Sequence, residues 1–166
     1  MFECSLHEET NMLTSKIKSA LTQIDWTIPK VVQNGIDAGL FGDEAHGWFT
    51  IASKQGYPFR QGSTDEPSAT SLEYRASVEA QVVWLSKHDL HTSTPWEEIN
   101  VGNAVAVRCD DFYIGYASGL TDRLWNQAIV VVSAIRVYQF NVAIIFDERL
   151  HLKQNPHIQP LLKVAN

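Results

Sequence analysis

From Leu72 to Val82 the chain reads Leu-Glu-Tyr-Arg-Ala-Ser-Val-Glu-Ala-Gln-Val, and apolar and polar residues alternate without a break. A period of two belongs to a strand with one wet face, because successive side chains of an extended chain point to opposite sides. Ala, Glu, Gln, Arg and Leu all favour helices. A helix, however, would place Arg75 and Glu79 on the same face as Leu72 and Ala76. The spacing therefore predicts a strand over 72–82, and a strand requires a sheet.

The residues downstream supply more of it. Asn103–Cys109 and Phe112–Ala117 flank Asp110-Asp111, a two-residue connection that predicts a hairpin. From Leu120 to Gln154 there is neither Gly nor Pro, while Val130, Val131, Val132, Ile135, Val137, Val142, Ile144 and Ile145 bring dense β-branched side chains, so long strands are expected. In the last of these, Ile144, Phe146, Leu150 and Leu152 alternate with charged and histidine residues. The segment 154–166 is expected as a coil tail, since Pro156 and Pro160 each remove a backbone donor.

Upstream, the pattern has the helical period. Leu13, Ile17, Ala20, Leu21 and Ile24 predict a first helix, and Val32, Ile36 and Leu40 a second that starts at Pro29 and stops at Gly42. A third is expected from Asp43, with Ala45, Trp48, Phe49 and Ala52 on one face, ending at Gly56-Tyr57-Pro58. The 166 residues suit one domain: a helical part over about 5–56, a connecting loop over 57–71, a β-rich part over 72–153 and the tail. The fold class is α+β, with N-terminal amphipathic helices packed on one face of a long-stranded, curved, mainly antiparallel sheet. That order of elements resembles the cone-shaped folds of the ketosteroid-isomerase and nuclear-transport-factor kind, and the resemblance implies a pocket between helices and sheet.

Charge narrows the functions. Thirteen Lys and Arg stand against 19 Asp and Glu, a formal net charge of −6, where a binder of nucleic-acid backbones needs clustered positive charge. No nucleic acid and no membrane are expected as partners: the apolar run 124–146 is broken by Asn126, Gln127, Ser133, Arg136, Gln139 and Asn141. The start, Met1 to Glu9, is acidic where a signal peptide is basic. Two cysteines, Cys4 and Cys109, suit a reducing cytoplasm.

No catalytic motif is recognised. Gly-x-Ser-x-Gly, the phosphate loop and the dinucleotide fingerprint are all missing. Lys87-His88-Asp89-Leu90-His91 and Cys109-Asp110-Asp111 are the densest polar sets, and His88, His91, Asp110 and Asp111 are the acid–base candidates for a small cofactor-independent hydrolase or isomerase. His-x-x-His lacks the helical spacing of a zinc motif, and carboxylates beside Cys109 would raise its thiol pKa rather than activate it. Neither a metal nor a cofactor is expected.

Aromatic side chains are abundant, and Tyr and Trp join an apolar body to a polar tip that suits a ligand pocket. The expected ligand-binding residues are Trp48, Tyr74, Trp84, Tyr116 and Tyr138. The first functional expectation is a non-catalytic module for a small apolar or amphipathic molecule. The alternative is an inhibitor- or immunity-type protein whose acidic surface meets a basic protein. A homodimer is expected from the edges and apolar face of an open sheet.

Overall fold

The computed structural model describes residues 19, 22–65, 69–90, 102–109, 112–137 and 155–165. In chain order these form α1 (22–37), a 3-10 turn (Asp43–Ala45), β1 (Gly47–Ser53), β2 (Pro58–Ser63), α2 (Ala69–Lys87), β3 (Val105–Cys109), β4 (Phe112–Ser118), α3 (Arg123–Arg136) and α4 (Ile158–Val164). The strands make one sheet in the order β2-β1-β4-β3, each neighbouring pair antiparallel. The chain is thus mixed α+β, and the strands among the described residues are five to seven residues long.

Helices cover both faces of the sheet, not one. Val78, Val82 and Leu85 of α2 pack on Ala52, Ala106, Tyr113 and Ala117. The alternate residues of the same strands, Phe49, Ile51, Val107, Ile114 and Tyr116, form the other face and pack with α1, α3 and α4. Because β1 and β4 are central and covered on both sides, they read as apolar runs instead of alternating. Helices and strands interleave along the chain, so the element order behind the cone-fold resemblance is not the observed one.

The alternating segment 72–82 lies within a helix, α2. Tyr74, Val78, Val82 and Leu85 turn inward at helical spacing, while Leu72, Ala76 and Ala80 face solvent. Arg75 and Glu79 sit out there too and bond to each other over 3.0 Å as an i, i+4 pair. The favourable helix propensities prevail once α2 has a sheet face to cover.

Four further expectations are corrected. The third helix shrinks to the turn Asp43–Ala45, because Trp48 to Ala52 enter β1 with both faces needed for packing. The loop 57–71 contains β2 and the start of α2. The first part of the β-branched run after Leu120, Arg123–Arg136, forms α3, whose side chains from Asn126 to Ala134 are all buried; a helix enclosed all round has no need of polar periodicity. The tail contains α4, in which Pro160 falls in the first turn, where no intrahelical N–H bond is lost.

The second expected helix starts before Pro29: α1 is continuous over 22–37 and takes in Ile24 of the first, while Leu13, Ile17, Ala20 and Leu21 lie outside the described residues. The apolar stripe Ile24, Ile28, Val31 and Val32 is buried, and its packing outweighs the bond lost at Pro29. Thr27 Oγ1 donates to the Gln23 carbonyl over 2.7 Å, a back-bond that opens a helix slightly beside the proline ring. The hairpin β3–β4 forms as expected; its turn Asp110-Asp111 and the expected strand over 144–153 lie outside the described residues.

Two glycines set how closely the layers approach. A Cβ on Gly115 of β4 would come within 2.6 Å of Val78 Cγ1, so α2 rests directly on β4 there. Gly56, at φ +92°, turns the β1–β2 connection against Val83 and Ser86 of α2, and Ser86 Oγ donates to the Lys54 carbonyl over 2.8 Å.

Candidate ligand-binding site

Burying Ile24, Ile28, Val31 and Val32 points the opposite stripe of α1 outward, and Trp26 and Lys30 are neighbours there at i, i+4. Trp26 is 79% exposed, an unusual position for so large an apolar surface. One side of it opens onto a cavity of ≈ 260 Å³ lined by Trp26, Thr27, Lys30, Val31, Arg136 and Ala165. On the other side is a shallower depression lined by Thr22, Gln23, Trp26 and Thr27. The more enclosed cavity thus lies where α1 meets the C-terminal ends of α3 and α4.

The electrostatics of this junction are mixed. Each helix C-terminus brings roughly half a negative charge, set beside the two cationic side chains of the lining, Lys30 and Arg136. The aromatic platform of Trp26 adjoins them in a chain of net charge −6. The arrangement suits a small molecule with an apolar body and an anionic group.

The sequence-predicted residues do not gather here. Tyr116 is fully buried, its hydroxyl donating to the Ala45 carbonyl and lying 3.4 Å from Thr64 Oγ1. Burial pushes its pKa strongly up, opposed in part by Thr64. Thr64 Oγ1 also accepts from the Gly47 N–H over 2.9 Å and stands 3.2 Å from His46 Nδ1. Trp48 occupies the opposite face of the sheet from Tyr116; its Nε1 donates to Gln61 Oε1 over 3.3 Å, and the Arg75 guanidinium lies 5.9 Å from its ring centroid. Tyr74 packs half-buried between α2 and the sheet, where its phenol adds to the upward push on Tyr116.

Trp84 stacks on His88 at 4.4 Å, both at the C-terminal end of α2. Next to them Arg108 pairs with Asp89 over 2.7 Å, and Tyr113 donates to the Leu90 carbonyl. His91, Asp110, Asp111 and Tyr138 lie outside the described residues. No group of three metal-ligating side chains gathers among the described residues. None of the described helices is long and apolar enough to cross a membrane.

A second polar constellation joins α3 to α4. Asp122 caps α3, its Oδ1 accepting from the Leu124 N–H over 3.0 Å, and its Oδ2 lies 2.7 Å from His157 Nε2. His157 stacks on Trp125, which meets Phe41 edge-on at 5.1 Å. Asn155 bonds the Leu124 carbonyl and Gln127 Oε1 through its amide.

No protein-family model, no curated protein and no solved structure matches the chain. The functional reading therefore rests on the geometry above. Sequence reasoning missed Trp26 by reading Asp25-Trp26-Thr27-Ile28 as a link between helices. The available signal was its phase: within a continuous helix Trp26 falls outside the Ile24, Ile28, Val31, Val32 stripe.

Proposed function

We propose that this chain is a non-catalytic binding module for a small amphipathic anion, seated on Trp26 with its charged group toward Lys30 and Arg136. The observation that carries this reading is the exposed indole bordering a cavity with two cationic side chains. Val31 and Ala165 supply the apolar floor for the ligand's body. A cytoplasmic setting accords with the buried, non-disulfide Cys109.

The test uses anilinonaphthalene sulfonate as a fluorescent probe, with laurate and its uncharged methyl ester as competitors. The reading expects laurate to displace the probe and the ester to do so far less. Trp26→Ala and Lys30→Glu should each weaken probe binding roughly tenfold, about 1.4 kcal/mol. Equal binding by wild type and both variants would remove this site from consideration. Laurate should also raise the Tm of the wild type, since a ligand of the native state stabilises it.

A further inference from the structure

The apolar floor of the Trp26 cavity comes from two elements of unequal strength. Val31 belongs to α1, which is continuous over 22–37, whereas Ala165 is the C-cap of α4, a helix of 7 residues. A helix that short is not stable by itself, so its contacts alone hold α4 in place. At its start His157 is clamped between the Trp125 ring and the Asp122 carboxylate, 2.7 Å from Nε2, and the Asn155 amide reaches the Leu124 carbonyl over 2.8 Å. Ile158 and Leu161 are buried in the core that α4 shares with α3. Ala165 follows at the far end, 1% exposed, its N–H donating to the Leu161 carbonyl over 3.0 Å.

We infer that α4 is the movable wall of this site: the anion binds with α4 docked, and in binding it locks α4 down. This rests on the binding reading given above. Undocking α4 withdraws Ala165 and lets water onto the apolar body of the ligand, while Trp26, Lys30 and Arg136 stay on α1 and α3. A ligand that favours the docked form shifts the population toward it by its difference in affinity for the two forms. By the same linkage, whatever weakens docking weakens the ligand.

The clamp and the cavity lie at opposite ends of one helix, about 10 Å apart. His157, Asp122 and Trp125 are therefore positioning residues: none of them lines the cavity, and each acts on it through α4.

Amide hydrogen exchange of the full chain, followed by NMR with and without laurate, reads the docking of α4. The Leu161 and Ala165 N–H groups donate to the His157 and Leu161 carbonyls and exchange when α4 undocks. With laurate at about 100 times its Kd, their exchange should slow about tenfold or more, toward the roughly hundredfold that complete linkage gives. The Leu90 N–H at the end of α2, bonded to the Leu85 carbonyl on the other side of the sheet, should keep its rate. His157→Ala should speed exchange in α4 roughly tenfold without ligand and weaken laurate binding. Exchange in α4 that ignores saturating laurate, while laurate still displaces the fluorescent probe, would overturn this inference and leave the binding reading standing. The same holds for a His157→Ala variant whose α4 exchanges like the wild type. Failure of laurate to displace the probe would remove the binding reading and the inference with it.

Discussion

The imidazole of His157 lies flat on the indole of Trp125, ring centroids 3.8 Å apart and planes 5° from parallel. Together with the bond from His157 Nε2 to the α3 cap Asp122, this contact holds the start of α4 against the start of α3. Asp122→Ala removes the helix cap and the histidine's partner at once. A loss of about 1–2 kcal/mol is expected from the cap alone, read by denaturant unfolding. His157→Phe keeps a ring on Trp125 and should retain more stability than His157→Ala; equal losses would show that the stack contributes nothing.

Asp25 of α1 pairs with Arg60 of β2, yet its Oδ1 is buried without a hydrogen-bond partner. Burial raises its pKa, and Arg60 only partly counters this. An acid whose folded pKa is raised favours the native state below its unfolded pKa of about 3.9 and loses that contribution as pH climbs through the folded value. Asp25→Asn should therefore match or exceed the wild-type Tm at pH 7, with its advantage shrinking as pH falls toward 4. A variant less stable at pH 7 than at pH 4, relative to wild type, would contradict this.

Tyr116→Phe should cost about 1–3 kcal/mol, because the buried Ala45 carbonyl loses its donor. Burial holds the phenol protonated in the native state, whereas the unfolded tyrosine ionises near pH 10. The wild type should thus lose stability above that pH faster than the variant does. Parallel alkaline melting curves would show that the hydroxyl is not so enclosed.

Trp26→Ala separates binding from folding. Its side chain is mostly in water, so the change in unfolding free energy should stay within about 0.5 kcal/mol, while probe binding falls. A large drop in Tm would make Trp26 a packing residue.

The sequence reading succeeded where local geometry is decided locally, as in the β3–β4 hairpin and the helical spacing of Val32 and Ile36 in α1. It failed on α2 for a reason visible in the residue numbers. A run with every even position apolar contains two series spaced by four: Tyr74, Val78 and Val82 fall on the buried face, and Leu72, Ala76 and Ala80 on the exposed one. Only the sheet beneath α2 distinguishes that from a strand. α3 was misread because enclosure on all sides erases periodicity, and the cavity at Trp26 escaped notice because it joins α1, α3 and α4, distant segments that no local pattern relates.

The contact between Gly115 and Val78 also limits the routes by which this chain can change over generations. A methyl group at 115 has no room while valine occupies 78, but trimming 78 first leaves only a small cavity that the methyl then fills. Alanine at both positions is reachable by one order of steps and obstructed by the other, so the two sites should be inherited as a linked pair.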